Sequence, residues 1–237
     1  MVVASDQPEV PAYFPISASQ NLKGSADLAD LPKPERLNSE TIANFDGVVI
    51  DVRPVAQYGA GHVPNSINIG LGGQFASWAG TLITVGTPIA IVAETEEQVD
   101  EAVMRLARVG EESVKGFILI AEYAGDKKTV EQIPVDQVNQ KLNDNIQFVD
   151  VRRPAEHAAG HAAKTMNIPL DKLSREIDRL DPDKPTYIIC QGGYRSSLGT
   201  SILENAGFKQ VYNTTGGTKA WLDAGLPSEE TAAKAAS

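Results

Sequence analysis

Cysteine is almost absent from this sequence: Cys190 is the only one among its 237 residues. An intramolecular disulfide is therefore impossible, and a metal site built from several thiolates is excluded. Basic side chains are also scarce, because 21 Lys and Arg stand against 31 Asp and Glu and leave a net charge of −10. That charge argues against nucleic acid or an anionic membrane as a partner, since both would be repelled.

Long apolar runs and a histidine-rich motif are missing as well. The longest apolar stretches, such as residues 117–121, are far too short to cross a bilayer, and residues 1–6 do not resemble a secretory signal. The three histidines, His62, His157 and His161, form no separate Cys–His–Asn pattern, which argues against a cysteine protease. We therefore predict a cytoplasmic protein that binds no metal and no cofactor.

Most of the sequence is one pattern that occurs twice. The matching segments are Asp51-Val-Arg53 with Asp150-Val-Arg152, Gly61-His62 with Gly160-His161, Asn68-Ile69 with Asn167-Ile168, Pro88–Ala93 with Pro185–Cys190, and Gly110 with Gly207. An ordered series of matches over about 100 residues indicates a duplicated domain. We predict a lead-in over 1–34, a first domain over 35–122, a linker over 123–132, a second domain over 133–228 and a flexible tail over 229–237.

Each copy alternates short apolar strands with helices. The predicted strands cover 48–52, 66–69 and 89–93, then 147–151, 165–168 and 187–190; the predicted helices cover 39–45, 97–109, 135–142 and 196–206. Ser39 and Asp136 are candidate N-caps, and Gly110 and Gly207 are predicted to end the longer helices. The pattern predicts an α/β fold with two domains, each a mostly parallel sheet flanked by helices.

The thiol lies in a segment suited to binding an anion, Cys190-Gln-Gly-Gly-Tyr-Arg-Ser196, between a predicted strand and a predicted helix. Gly192 and Gly193 permit backbone conformations in which successive amides point inward. The helix N-terminus and Arg195 add positive charge. This pattern favours a nucleophilic thiolate or a negatively charged group carried on its sulfur. The alternative interpretation, a buried thiol at a strand end, accounts for none of the neighbouring residues.

Together these motifs resemble the rhodanese domain, over residues 36–122 and 130–228. The second copy also has the Gly216-Gly217 pair, Trp221 and Pro227 of that family. Rhodaneses are sulfurtransferases that carry sulfur as a cysteine persulfide. The resemblance implies that Cys190 is catalytic, taking sulfane sulfur from thiosulfate or a low-molecular-weight persulfide and passing it to a thiol or cyanide. Small sulfur-containing anions and thiols are the partners that this implies.

The resemblance also assigns supporting roles. The implied persulfide- and anion-binding residues are Gln191, Gly192, Gly193, Tyr194, Arg195 and Ser196, with Arg195 holding the donor. Asp150 and Arg152 match positions that brace the loop; the alternative is an ion pair at the strand end that involves Glu156. His161 is expected to support the Gly-His turn rather than to take part in catalysis.

A phosphatase is the weaker enzymatic alternative. Cell-cycle phosphatases resemble rhodaneses but place the loop arginine one position farther from the cysteine, where the loop surrounds a phosphate. The shorter interval from Cys190 to Arg195 makes a tighter loop suited to a persulfide.

The first copy lacks the residues needed for this chemistry. Ala93 takes the place of Cys190, Gln98 that of Arg195, and three glutamates lie between them. We therefore predict an inactive domain, in which the aromatic insertion at residues 73–78 packs against the second copy.

Three further segments narrow the resemblance. Residues 11–15, 21–24 and 75–80 resemble parts of fusions between a metallo-β-lactamase-type persulfide dioxygenase and rhodanese domains. This implies a metallo-hydrolase of that type as a partner or a fused domain. The alternative function is a non-catalytic docking or regulatory module of a sulfide-oxidation or persulfide dioxygenase system.

Overall fold

Two domains with the same strand order follow one another in the computed structural model, which describes residues 33–230. The first sheet contains β1 (Glu35–Arg36), β2 (Val48–Asp51), β3 (Ile67–Asn68), β4 (Ile89–Ala93) and β5 (Val114–Leu119). Its strands are parallel and lie in the order β1-β5-β4-β2-β3.

The second sheet repeats this arrangement. It contains β6 (Glu131–Pro134), β7 (Gln147–Asp150), β9 (Met166–Asn167), β10 (Thr186–Ile189) and β11 (Val211–Thr215), in the order β6-β11-β10-β7-β9 and again parallel. A separate antiparallel pair joins β8 (His161–Ala162) to β12 (Ser228–Glu229). The predicted α/β class, with mostly parallel sheets flanked by helices, is confirmed.

Eight helices connect and cover the sheets in the described range. They are α1 (Ser39–Ala43), α2 (Val55–Ala60), α3 (Phe75–Leu82), α4 (Glu96–Ala107), α5 (Val135–Lys141), α6 (Pro154–Ala158), α7 (Tyr194–Asn205) and α8 (Gly217–Asp223). Short 3-10 turns occupy Ile120–Glu122, Leu170–Lys172 and Ile177–Arg179. Every residue of the central strands β4 and β10 is buried, because each strand is covered on both faces. Between residues 33 and 230 no helix is long and apolar enough to cross a bilayer.

The helix caps differ in part from the prediction. Asn38 caps α1 by accepting the Thr41 amide at 2.8 Å, whereas the Ser39 hydroxyl accepts the Ala124 amide at 2.9 Å. Pro134 precedes α5, so the predicted cap at Asp136 is also wrong. Pro134 can hold that place because the first amides of a short helix do not all need a side-chain partner inside the protein.

The predicted glycine stops are confirmed. Gly110 and Gly207 follow the ends of α4 and α7 with φ of 85° and 90°, a conformation that a side chain disfavours. The start of α7 lies at Tyr194, before the predicted start, because Gly193 has a φ of 104° and turns the chain directly into the helix.

The predicted linker and the predicted tail each contain residues that pair with a strand or turn of a domain through backbone hydrogen bonds. Residues 131 and 132 of the predicted linker belong to β6, and Lys128 forms an antiparallel bridge with His62. In the second domain Glu229, assigned to the tail, pairs with His161 in the corresponding way. The chain that leaves each domain therefore returns to its Gly-His turn. The predicted lead-in as far as residue 32, which includes 11–15 and 21–24, and tail residues 231–237 lie outside the described residues.

The aromatic insertion packs on its own domain and on the second one. The Phe75 side chain is fully buried, α3 lies against α4, and the Arg105 guanidinium sits 5.3 Å from the centre of the Phe75 ring. The predicted packing against the second copy is present as well: Gly73, the first residue of the insertion, approaches the ring of Tyr194, and Phe75 belongs to the same core cluster as Leu198 of the second copy.

Candidate active site

Cys190 directly follows the buried strand β10, at the edge of the sheet where helix α7 begins. Its side chain is 1% exposed, and its Sγ accepts a hydrogen bond of 3.1 Å from the Gly193 amide. The Ser196 hydroxyl donates to the Gly193 carbonyl at 3.0 Å, and Ser196 Oγ lies 3.4 Å from Sγ as an acceptor for the thiol. The Gly193 amide is therefore the donor that the loop presents to the sulfur, and it suits a sulfur that carries negative charge, whereas Ser196 accepts the proton of the neutral thiol.

Helix α8 fixes the backbone of this loop from the other side. The Thr218 amide donates to the Cys190 carbonyl at 2.7 Å, and the Lys219 amide donates to the Gln191 carbonyl at 3.2 Å. Gly217 has a φ of 62°, and a methyl group there would lie 2.4 Å from the Cys190 carbonyl oxygen. The close approach of two backbones thus explains Gly217, while Gly216 has a φ of 79° at the start of α8.

Arg195 is held by a carboxylate that the sequence did not pair with it. Its two terminal nitrogens donate to the two oxygens of Glu156, each at 2.7 Å. Hydrogen bonds from Arg195 lower the pKa of Glu156. Burial works against the charge on Arg195, but the hydrogen bonds and charge of Glu156 outweigh it and raise the pKa of Arg195. The side-chain hydrogen bonds of Glu156 therefore tie it to the loop, while its predicted involvement with Arg152 is limited to the attraction between their charges, which also lowers the pKa of Glu156.

The Asp150–Arg152 pair has an exact counterpart in the domain without a thiol. Arg152 binds both carboxylate oxygens of Asp150 and donates to the Gly160 carbonyl at 2.9 Å. Arg53 binds Asp51 and the Gly61 carbonyl in the same way. Because the domain without a thiol makes the same contacts, they serve the fold.

The second domain adds one contact to this pair. Arg152 Nη1 donates to Gln191 Oε1 at 3.3 Å and so links the pair to the sulfur loop. The structure thus joins both expected roles, the ion pair at the strand end and the brace of the loop, in one side chain.

His161 supports its turn in the same manner as His62. The Nδ1 atom of His161 bonds to the His157 carbonyl at 2.8 Å, and the two rings stack 3.5 Å apart. His62 Nδ1 bonds to the Tyr58 carbonyl at 3.0 Å and stacks on that ring. Burial lowers the pKa of His157, as does the neighbouring His161. The matching contacts favour the role in the turn.

The corresponding loop of the first domain has become an ordinary helix start. Thr95 caps α4 by accepting the Gln98 amide at 3.4 Å, and Gln98 Oε1 accepts the Glu94 amide at 2.9 Å. At α7, by contrast, no side chain of the described residues caps the first turn, which begins after Gly193. The free end of α7 lies beside the sulfur, where amides and the helix dipole favour an anion.

The sequence named Cys190 and its loop, but it did not pair Glu156 with Arg195, nor the phenol of Tyr194 with Gly70 of the first domain. A signal for Glu156 existed: Gln57 occupies its position in the first copy, just as Gln98 occupies that of Arg195. Both charges are therefore absent from the copy that has no thiol. Over residues 33–230, no group of three or more His, Cys, Asp or Glu is placed to hold a metal ion.

Comparison with known protein families assigns the chain to one of them. The family model of the rhodanese-like domain matches residues 34–125 and 134–224. The chain therefore belongs to the rhodanese-like family and contains two of its domains.

Two curated relatives match about one domain each. The chain is similar to YqhL of Bacillus subtilis, with 31% identity over 103 residues, 44% of this chain and 81% of that protein. It is also similar to a protein named Sulfurtransferase from Allochromatium vinosum, with 31% identity over 100 residues, 41% of this chain and 94% of that protein.

Two solved structures show similarity as well. A rhodanese-like domain protein from Staphylococcus aureus is 32% identical, with a TM-score of 0.37, over 39% of this chain and 91% of that one. A thiosulfate sulfurtransferase from Pseudomonas aeruginosa is 20% identical, with a TM-score of 0.40, over 86% of this chain and 42% of that one.

Proposed function

We propose that this protein is a sulfurtransferase that carries sulfane sulfur as a persulfide on Cys190. The observation that carries the proposal is the hydrogen bond from the Gly193 amide to Cys190 Sγ at the uncapped start of α7. A fixed donor at that distance stabilises charge on the sulfur without further rearrangement. The family, which includes a relative named as a sulfurtransferase, supports the same reaction.

Thiosulfate illustrates the proposed transfer. The Cys190 thiolate attacks the outer sulfur of the donor, a new S–S bond forms, and the old one breaks as sulfite leaves with its electron pair. The terminal sulfur now carries the negative charge, and the loop amides hold it. Cyanide or a thiolate then attacks this sulfur, takes it as thiocyanate or as a new persulfide, and releases the Cys190 thiolate. Atoms and electrons balance without a redox cofactor.

Arg195 is the residue that we propose binds the anionic donor. A guanidinium has five N–H donors, and Glu156 takes one from each terminal nitrogen. The remaining N–H groups are available to a second oxyanion, such as the sulfonate oxygens of thiosulfate. Glu156 orients the guanidinium but also repels the donor, so this pair sets how strongly anionic donors bind.

The test measures the intact mass of the whole protein after incubation with a sulfur donor. Incubation with thiosulfate or glutathione persulfide should add the mass of one sulfur atom, and later addition of cyanide should remove it. Cys190→Ser should abolish both the adduct and turnover, whereas the matched change Ala93→Ser at the same position of the first domain should leave them unchanged. Sulfur transfer by Cys190→Ser, or no adduct with any donor, would refute the proposal. Turnover of an aryl phosphate that depends on Cys190 would favour a phosphatase instead.

Two narrower predictions accompany this proposal. The resemblance of residues 75–80 to persulfide dioxygenase fusions predicts a metallo-hydrolase of that class as a partner or fused domain. A single thiol that must remain reduced suits a cytoplasmic setting. Direct binding to a purified persulfide dioxygenase tests the first prediction, and fractionation of the source cells tests the second.

A further inference from the structure

Helix α7 is bound to the inactive domain along one whole face. Five of its side chains make these contacts. Tyr194 donates to the Gly70 carbonyl (2.9 Å), Ser197 donates to Asn68 Oδ1 (2.6 Å), and Ser201 accepts the Asn68 backbone amide (3.1 Å). Near the end of the helix, Glu204 Oε2 lies 2.9 Å from His62 Nε2, and Asn205 donates to the Asn65 carbonyl (3.0 Å). Spacings of three and four residues place these side chains on the same side of a helix. The helix that begins at the sulfur loop is therefore attached to the first domain by polar contacts.

The hydrogen bond from Tyr194 to Gly70 is the one of these contacts that lies next to the sulfur loop in the chain. Tyr194 directly follows Gly193, whose amide donates to Cys190 Sγ. Burial raises the pKa of Tyr194, so its phenol stays protonated and remains a donor to the Gly70 carbonyl. Any displacement of the Tyr194 ring would move the neighbouring Gly193 amide relative to the sulfur. Asn205, by contrast, lies at the far end of the same helix.

The surface that receives Tyr194 is itself held in place. Arg105, on α4, donates to the Leu71 carbonyl at 2.7 Å and to the Gly73 carbonyl at 3.1 Å. Gly73 faces the Tyr194 ring so closely that an added methyl group would lie 2.4 Å from it. Arg105 also lies over the Phe75 ring, which limits its movement. One arginine thus fixes the segment 70–73 on which the tyrosine rests.

We propose that Arg105 and Tyr194 are positioning residues, through which the inactive domain holds the Gly193 amide against Cys190 Sγ. The inference rests on the proposed sulfur transfer and gives the inactive domain a part in it. In this view α4, which has lost the anion-binding loop at its own start, supports the loop at the start of α7. Neither side chain touches the donor, so their effect falls on the step at sulfur and not on donor binding.

The test measures sulfur loading and amide hydrogen exchange in the full chain. Arg105→Met and Tyr194→Phe should each lower the maximal rate of persulfide formation about five- to ten-fold, as expected for a weakened hydrogen bond to a charged atom. The thiosulfate KM should change less than about two-fold, because Arg195 is untouched. The double variant should be no slower than the slower single variant, since both act through one chain of contacts.

Two comparison variants make the test selective. Arg108→Met removes an exposed arginine that directly follows the end of α4 and should leave rate and exchange unchanged. Asn205→Ala removes a contact between the domains at the far end of α7 and should leave the amides of 191–194 as protected as in the wild type. Both Tyr194→Phe and Arg105→Met should accelerate exchange of those amides. If Asn205→Ala accelerates it equally, or if the two positioning variants change nothing, the inference is overturned.

The exchange measurement also separates the two proposals. If the wild-type protein forms no persulfide with any donor, the proposed function fails. Hydrogen exchange at the loop needs no sulfur transfer, so it still decides whether Arg105 and Tyr194 hold the loop in place.

Discussion

The first domain keeps the aspartate–arginine pair, the histidine and the strand order of the second, yet it has Ala93 where the second has Cys190. Contacts that occur in both domains, such as Asp51–Arg53 and Asp150–Arg152, do not depend on a thiol and serve the fold. At the end of the central strand the two domains differ: the second has the thiol, the ion pair between Arg195 and its carboxylate, and a helix start without a side-chain cap, whereas Thr95 caps the matching helix α4. The duplication therefore separates structural residues from chemical ones within a single chain.

The largest effect is expected when the thiol is moved from the second domain to the first. In a Cys190→Ser background, Ala93→Cys places the single thiol at the same strand end of the first domain. We expect no sulfur adduct by intact mass, because the adjoining loop has a threonine cap and glutamates that repel an anionic donor. Circular dichroism would establish that the variant is folded. An adduct at residue 93 would show that the cysteine alone is sufficient and that the loop is not required.

A second variant tests the close approach of the Gly217 backbone to the Cys190 loop. Gly217→Ala should cost about 2 kcal/mol or more of unfolding free energy, because the methyl group meets the Cys190 carbonyl and the residue also has a positive φ. Gly207 also has a positive φ, but no described atom lies within 4 Å of the methyl group that Gly207→Ala would add. It should cost about 1 kcal/mol. Urea unfolding of both variants measures the difference, and equal losses would contradict the role of the close contact.

The smallest expected effect concerns donor binding. Glu156→Gln removes the negative charge that shares Arg195, so the thiosulfate KM should fall by a few-fold while the maximal rate changes little. Glu176→Gln, which neutralises the carboxylate of the surface pair with Arg179, should leave the KM unchanged. Steady-state kinetics at several thiosulfate concentrations measure both. A higher KM for Glu156→Gln would show that the carboxylate is needed mainly to orient Arg195.

The stability contributed by the ion pair between Glu156 and Arg195 is expected to depend on pH. Hydrogen bonds from Arg195 lower the pKa of Glu156 below its ordinary value of 4.5. A lowered folded-state pKa means that the stability due to the pair is complete above the ordinary value and is lost as the pH falls through the folded-state value. The unfolding free energy of the wild type should therefore exceed that of Glu156→Gln at neutral pH and approach it in acid. A difference that persists in strong acid would contradict the ion pair as its source.

Local sequence signals predicted a large part of this molecule. The duplication, the strand–loop–helix order around Cys190 and the glycine stops at Gly110 and Gly207 all depend on neighbouring residues. The displaced cap of α1 shows how such signals fail: Asn38 and Ser39 are both competent caps, and packing decides between them. The extra strand residues in the predicted connectors depend on partners elsewhere in the fold, which no short segment reveals.

The missing parts of the site are contacts between distant residues. Glu156 lies 39 positions from Arg195, and Gly70 lies 124 positions from Tyr194. No local pattern of charge or hydrophobicity joins such pairs, because the topology brings them together. Comparing the two copies residue by residue offers the one sequence-level clue, since Gln57 and Gln98 replace both members of the ion pair together.

Arg105 binds the segment 70–73 through main-chain carbonyl oxygens, which every amino acid has. Substitutions in this segment can therefore accumulate without loss of that attachment wherever the side chain has room. Gly72 is such a position, because no described atom lies within 4 Å of a methyl group added there. Gly73 is not, since its methyl would strike the Tyr194 ring. A saturation library of this segment should tolerate many residues at 72 and very few at 73, so the first domain can diverge in sequence while its contact with helix α7 persists.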